Sequence, residues 1–316
     1  MTKTLTPKSG PSEDRFIGCL LGLAIGDALG GLFEAQSPNH LRSRFDNVDT
    51  LIDYPTEQLT YTDDTQMTIG VAETLVEHGE ILEEKLCHAF VNNYLPSRGY
   101  GRGARRILDA MEDGRDYTAV AETVFPGGSY GNGAAMRVAP VGLLFHSDRD
   151  RVQEQARLSA WPTHKHPLGI VGAQLLACAV AICIDADEID RDYFSQQLTA
   201  CCQSREFEQK LAIAATVTSP EGLGQLGNGI QALESVVTSI TSFLLTPNSY
   251  AETVANVIFL GGDTDTTAAM AGALSGAYLG TEGIPKRLID LLEDWNKGKT
   301  YLRELGQKLW ARFAQT

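Results

Sequence analysis

Positive charge is in short supply in this sequence. Its 316 residues carry 26 Lys and Arg against 40 Asp and Glu, a formal net charge of −14. Nothing in that balance would neutralise a run of phosphates, which argues against sequence-independent nucleic-acid binding. It argues equally against a polybasic membrane anchor. A small anionic ligand would need local positive potential, from metal ions or helix N-termini, to offset the overall field. Cysteine is scarce too. Cys19, Cys87, Cys178, Cys183, Cys201 and Cys202 form no CxxC pair, so neither a zinc spacing nor a disulfide framework is indicated. Thiols in mostly apolar stretches read as free and buried, which suits a reducing compartment, and the expected location is the cytoplasm. The first fourteen residues contain Pro7 and Pro11 and lack the apolar core of a secretory signal. Residues 1–13 are expected to be a flexible segment preceding one large domain over 14–316. Strand-type alternation, hairpin signals, short repeats and low-complexity linkers are all missing. So are a Walker loop, a GxGxxG fingerprint and any local Ser/His/Asp or Cys/His arrangement.

Only one long uncharged run draws attention. Pro167 to Ile184 has Gln174 as its sole strongly polar side chain. Its length touches the threshold for a membrane span, but as a helix it would reach only roughly 27 Å. With 43% hydrophobic and 21% charged residues in the whole chain, a buried core helix is the reading adopted, and no membrane association is expected.

What the sequence does have is helical patterning. Gly18, Gly22, Gly26 and Gly30 recur every fourth residue in DRFIGCLLGLAIGDALGG, so they lie near one helix face. Glycine disfavours a helix locally, and four at this period predict a second backbone packed close against the stripe. Gly272, Gly276 and Gly280 repeat the device near the other end. Further helices are expected over 63–78, over 133–145 with a kink at Pro140, over 167–184 starting at a proline, and over 228–245 and 250–260. The fold class predicted is all-α.

Five segments carry chemistry. Thr62-Asp63-Asp64-Thr65 and Gly261-Gly262-Asp263-Thr264-Asp265-Thr266-Thr267 each crowd carboxylates and hydroxyls at the head of an apolar helix. Each alone suits an N-cap with acidic first-turn residues. Together they supply four carboxylates that repel unless something neutralises them. Hard oxygen donors of this kind fit Mg²⁺ or Mn²⁺ better than zinc, and paired ions are a common hydrolytic device. Gly127-Gly128-Ser129-Tyr130-Gly131-Asn132-Gly133 lets backbone N–H groups approach an anion, though a glycine loop is also an ordinary turn. Arg98-Gly99-Tyr100-Gly101-Arg102-Gly103 is a similar loop. His164 and His166 flank Lys165 ahead of the long apolar run, where a histidine is equally a ligand or a capping residue.

These segments, GCLLGLAIGDALGGLFE, YTDDTQM, RGYGRG, GSYGNGAAMRVAPVGL, THKHPLG and GGDTDTTAAMAGALSGAYLG, resemble the ADP-ribosylglycohydrolases in sequence and in order. Within that family GSYGNGAAMR and GGDTDT are most similar to the ADP-ribosylhydrolase 3 branch, which acts on serine-linked ADP-ribose, poly(ADP-ribose) and O-acetyl-ADP-ribose. The THKHP stretch resembles the arginine-specific branch equally. The resemblance implies one large orthogonal helical bundle with a binuclear Mg²⁺ centre held by Thr62, Asp63, Asp64, Asp263, Asp265 and Thr266. It implies that Glu34 is a mobile glutamate near the scissile bond, making Glu34 and Asp263 the candidate proton-handling groups. Gly128, Ser129, Tyr130, Gly131 and Asn132 correspond to the loop for the diphosphate and distal ribose, with Tyr130 against the adenosine. His164 would contact the ligand, Gly99 and Gly101 would lie on the adenosine side, and Phe125 would be a second stacking aromatic. Asp27, inside the glycine-striped helix, is assigned a structural role. The implied partners are ADP-ribose and ADP-ribosylated proteins; from its acidic surface the chain is expected to be a monomer. Arginine-linked ADP-ribose is the alternative substrate, and a non-catalytic ADP-ribose-binding relative is the alternative class.

Overall fold

Helix starts are written into the sequence as short polar caps. Ser12 accepts the Arg15 N–H, Thr62 that of Asp64, and Ser249 that of Glu252, while Asn47 and Thr50 cap each other reciprocally. Each satisfies a backbone donor that the first turn leaves free. The computed structural model describes residues 11–315. In chain order its helices begin with α1 (Glu13–Gly30), α2 (Pro38–Arg44), α3 (Val48–Ile52), α4 (Asp63–His78), α5 (Glu83–Asn93) and α6 (Arg102–Glu112). Next are α7 (Tyr117–Val124), α8 (Ala139–Leu144), α9 (Arg149–Ala160), α10 (Pro167–Asp185), α11 (Arg191–Ala200) and α12 (Arg205–Thr216). The chain closes with α13 (Ala232–Leu245), α14 (Tyr250–Ile258), α15 (Thr264–Leu279), α16 (Lys286–Leu291) and α17 (Lys299–Phe313). Among the described residues there is no strand, only isolated bridges at Leu59–Leu292 and Gly131–Gln231. The expected all-α architecture is what the chain adopts. Of the expected flexible head, residues 1–10 lie outside the described residues; Ser12 and Glu13 already belong to the cap and first turn of α1.

The two glycine stripes meet. A Cβ added at Gly22 would stand 2.4 Å from the Gly272 carbonyl oxygen, and one at Gly276 2.0 Å from that of Gly18. Helix α1 and helix α15 are therefore in backbone contact, closer than any side chain allows. Tyr250 locks the pair by donating its hydroxyl to the Gly22 carbonyl at 2.7 Å. The contact puts the C-terminal end of α1 beside the N-terminal end of α15, where Thr264 Oγ1 donates to the Gly30 carbonyl.

Helix α10 is walled by α8, α9, α13 and α15, which accounts for its apolar sequence. It is not alone in that character: α1 with its following turn is also long and apolar enough to cross a membrane, and most of each is buried inside the fold. Burial explains both. Two helix expectations need correcting. Residues 133–145 do not form one kinked helix; a short 3₁₀ turn at Asn132–Ala134 is followed by α8, with Pro140 in its first turn. A proline lacks the N–H of a helix interior and clashes with the preceding turn, so a helix starts there more readily than it bends there. Helix α13 starts at Ala232 and not at Asn228, because the Asn228 side chain donates to the carbonyls of Leu260 and Gly261 while its own carbonyl accepts the Asp263 N–H. All six cysteines are free and buried. Residues 185–227, which carry no readable motif, form α11, α12 and a 3₁₀ turn.

Candidate active site

Asp27 builds the floor of the site from inside α1. It is fully buried, and its carboxylate accepts the backbone N–H groups of Thr62 and Thr65 at 3.0 Å and the Thr65 hydroxyl at 2.5 Å. Three donors at the N-terminus of α4 thus close on one carboxylate. The structural role assigned to Asp27 is what the geometry gives it. A second clasp was invisible in the sequence. Buried Arg98 makes two hydrogen bonds to fully buried Glu293, at 2.5 and 3.1 Å, and donates to the Tyr61 carbonyl at 2.7 Å. Glu293 in turn accepts the Tyr61 N–H at 3.0 Å. A bidentate pair with further hydrogen bonds on both partners is the arrangement in which a buried ion pair holds geometry. It ties the Gly99 loop and the start of α4 to a segment 195 residues away.

Above this floor the acidic motifs converge. Asp64 is buried, with Oδ2 at 3.3 Å from Thr62 Oγ1 and 3.4 Å from Thr266 Oγ1, and with Oδ1 left without a partner. Asp263 accepts a hydrogen bond of 2.6 Å from Asn132 Nδ2, and Asp265 accepts the Thr266 N–H at 2.9 Å. Glu34 is brought in by a crossing of two loops. The Ala35 N–H donates to the Gly262 carbonyl, and the Gly262 N–H to the Gln36 carbonyl. The crossing holds Ala35 at φ +61, a left-handed conformation unfavourable for a residue with a Cβ. Gly261 and Gly262 also have positive φ, and a Cβ on either would lie within 2.4 Å of a carbonyl oxygen.

Burial and mutual repulsion push these carboxyls up together. Asp63 and Asp265 rise to about 7, burial being the main cause for each, and Asp64 goes well above its ordinary value for the same reason. Asp27 is raised to about 7 by burial, against the hydrogen bonds from Thr65 and Thr62. Burial also raises Asp263, while the charge of Asp265 raises Glu34. Among the described residues no group of three His, Cys, Asp or Glu side chains stands ready-made in metal-ligand geometry. The donor chemistry nonetheless fits a hard divalent cation. The set consists of carboxylate and hydroxyl oxygens, one buried carboxylate oxygen has no partner, and a cation relieves the repulsion that raises the group.

These residues line a cavity of about 360 Å³. Of the residues singled out from the sequence, Glu34, Asp63, Asp64, Gly99, Gly101, Phe125, Ser129, Tyr130, Gly131, Asn132, His164, Asp263, Asp265 and Thr266 all face it. Thr62 and Gly128 do not. Thr62 caps α4, with its Oγ1 3.3 Å from Asp64 Oδ2 at the edge of the acidic group. Gly128 has φ +92 and supports the loop from beneath, where a Cβ would fall 2.3 Å from the His166 backbone nitrogen. His166 caps α10 by accepting the Leu168 N–H, so of the two histidines only His164 reaches the cavity. The sequence reading missed the apolar wall, made by Met67, Ile107, Leu108, Met136 and Ile230. Ile230 carried no signal. It sits on a loop brought to the glycine motif by hydrogen bonds from the Asn132 N–H to the Ile230 carbonyl and from the Ala232 N–H to the Tyr130 carbonyl. Half-exposed Tyr130 and largely exposed Ile230 frame the mouth. The lining is thus acidic where TDDT and GGDTDT meet, and apolar and aromatic over Ile107, Leu108, Phe125, Tyr130 and Ile230.

Known proteins share both the sequence family and the fold of this chain. The ADP-ribosylglycohydrolase family model matches residues 9–316. The proteins named ADP-ribosylhydrolase ARH3 from Mus musculus and Homo sapiens are each 36% identical to this chain, over 87% of it and over 86% and 88% of their own lengths. An uncharacterised protein of Archaeoglobus fulgidus is 30% identical over 94% of this chain and 96% of its own. A solved structure titled ADP-ribosylglycohydrolase-related protein complex shares the fold, with a TM-score of 0.71 at 21% identity over 95% of this chain and 98% of that one. With its glycine-striped helix pair, its two acidic motifs and a family match over almost its whole length, the chain belongs to the ADP-ribosylglycohydrolase family.

Proposed function

We propose that this protein is a hydrolase that releases ADP-ribose from ADP-ribosylated protein, with serine-linked ADP-ribose as its preferred substrate. The observation that carries the reading is the convergence, on one cavity, of TDDT, GGDTDT and the GSYGNG loop from three distant parts of the chain. The relatives named ARH3 support the branch. The apolar and aromatic part of the lining, with Phe125 and Tyr130, suits an adenosine; the glycine loop suits a diphosphate; the acidic part suits the ribose whose anomeric carbon reacts. Thr62, Asp63, Asp64, Asp263, Asp265 and Thr266 would hold two Mg²⁺ ions, with Mn²⁺ accepted by the same donors. Bound there, the ions would supply Lewis-acid stabilisation and orientation of ribose hydroxyls.

The chain's own groups do the rest. Positive charge grows on the sugar ring as the glycosidic bond breaks, and the carboxylates in the acidic part of the cavity favour it. Proton transfer falls to a carboxyl within reach of the bond. Glu34, at the exposed edge of the cavity and raised by Asp265, is suited to hold a proton. Asp263, fixed by Asn132, is the second candidate. Buried free thiols fit a reducing compartment, and we place the protein in the cytoplasm as a monomer.

The test is release of free ADP-ribose from a serine-linked peptide, an arginine-linked peptide and poly(ADP-ribose), each with Mg²⁺ and with EDTA. Metal-dependent release, fastest from the serine peptide, is the expected outcome. Preference for the arginine peptide would move the protein to the other branch. Tight ADP-ribose binding without any release would make it a binding protein. Within this reading, Glu34→Ala should lower kcat by about 100-fold or more while ADP-ribose affinity changes by less than about threefold. A large affinity loss at unchanged kcat would take Glu34 out of the chemistry.

A further inference from the structure

Arg137 is one of the largest fully buried side chains, 1% exposed, and it borders the cavity. Among the described residues its guanidinium meets no carboxylate. Among the described residues its partners are the Ser159 carbonyl oxygen at 2.7 Å, Thr163 Oγ1 at 2.9 Å, the Met67 sulfur at 3.7 Å and the face of Phe90 at 4.7 Å. Its Nε has no partner. Burial lowers it to about 9, so it remains a cation at neutral pH. A buried charge without a counter-charge is unfavourable, and among the described residues the one side-chain oxygen this cation reaches is the Thr163 hydroxyl.

That hydroxyl has a second neighbour, His164 Nδ1 at 2.7 Å. A guanidinium can only donate, so Thr163 Oγ1 accepts from Arg137 and its own proton is free to go elsewhere. Among the described residues Nδ1 is the acceptor placed to take it. The alternative, Nδ1–H donating to the threonine, would leave a hydroxyl proton without an acceptor beside a guanidinium. The ring proton therefore belongs on Nε2. That edge faces the glycine loop: a Cβ on Gly133 would lie 2.9 Å from His164 Cε1 and 3.2 Å from Nε2, and one on Gly131 3.7 Å from Nε2. The side chains missing at these two glycines leave the imidazole room at the loop. Burial and the charge of Arg137 together lower His164 to about 3, which keeps it neutral.

We propose that Thr163, oriented by Arg137, is a positioning residue that locks His164 as its Nε2–H tautomer. The neutral ring then offers one fixed donor to an anionic phosphate oxygen of a ligand lying on the Gly131–Gly133 loop. The identity of the ligand rests on the function proposed above; the tautomer does not. A neutral donor of fixed direction selects for geometry, where a mobile cation would select only for charge.

The ring tautomer is readable without ligand, from long-range ¹H–¹⁵N spectra of protein labelled at histidine, with the His164 signals assigned by their loss in His164→Gln. The expected wild-type pattern is a protonated Nε2 and a bare Nδ1. Thr163→Val should give a mixture of tautomers and weaken ADP-ribose binding about tenfold by calorimetry. Thr163→Ser should restore the single tautomer and bring binding back to within about threefold of wild type. A protonated Nδ1 in the wild-type protein would overturn the proposal, as would Thr163→Val binding as tightly as wild type. Should Thr163→Val fail to fold, the wild-type and Thr163→Ser spectra decide. Should the wild-type protein not bind ADP-ribose, the proposed function fails, and the tautomer still decides this inference.

Discussion

Asp263→Asn and Asp265→Asn should each leave about 1% or less of wild-type turnover, without loss of fold. Both carboxylates lie in the first turn of α15 and its cap, face the cavity, and are raised by burial. The raised values mean that folding disfavours these charges. An amide of the same shape removes that penalty. Asn132 Nδ2, now 2.6 Å from Asp263 Oδ2, keeps an oxygen acceptor if the new amide presents its carbonyl. Thermal stability of the metal-free protein should therefore be unchanged or slightly higher, the signature of a group retained for activity. Turnover should collapse in both variants because each removes a charged oxygen from the proposed cation site, and at Asp263 also because loss of a proton-handling carboxylate alone costs about 10²–10⁴-fold. Rates of ADP-ribose release, melting temperature and bound metal measured on the same preparations check the claim. Near-wild-type release by either variant with metal content intact would refute the assignment.

The largest effect on stability is expected where the two backbones touch. Gly276→Ala places a methyl 2.0 Å from the Gly18 carbonyl oxygen and 2.6 Å from its carbon. Neither atom is the end of a flexible side chain; both belong to the backbone of α1. Relief requires the two central helices to move apart, which opens the packing along their whole contact. A cost on the order of 3 kcal/mol or more is expected, and a fall in melting temperature of about 10 °C. Activity should fall further than stability alone explains. The same pair of helices sets the distance between Glu34, just beyond α1, and the GGDTDT segment that opens α15. Gly224→Ala is the control: a Cβ there meets nothing within 4 Å, and stability should change by less than about 0.5 kcal/mol. Equal melting temperatures for Gly276→Ala and wild type would mean that α1 and α15 tolerate separation.

Much of this protein is legible one residue at a time. Glycines at every fourth position announce a close helix pair, because a helix has a fixed period and glycine there has no local advantage. TDDT and GGDTDT announce an acidic centre, because carboxylates crowded beside hydroxyls need a neutralising partner. The place of Asp27 in the striped helix marks it as structural, and the unbroken apolar run at 167–184 reads as a core helix. In each case the physical cause lies within a short stretch of the chain.

Tertiary structure decided the rest, and for one reason. The clasp of Arg98 on Glu293 spans 195 residues, and Ile230 reaches the cavity only because its backbone pairs with the glycine loop. Asp263 is held in place by the side chain of Asn132, 131 residues away. Arg137 meets Thr163 across 26 residues, and only that meeting assigns the proton on His164. Hydrogen bonds act over about 3 Å, and no local pattern records which distant group will stand at that distance. The residues along the chain mark the central helices and the chemistry carried at their ends, because those causes are local; packing sets which of those ends face one another, and so where the site is and how its groups are held.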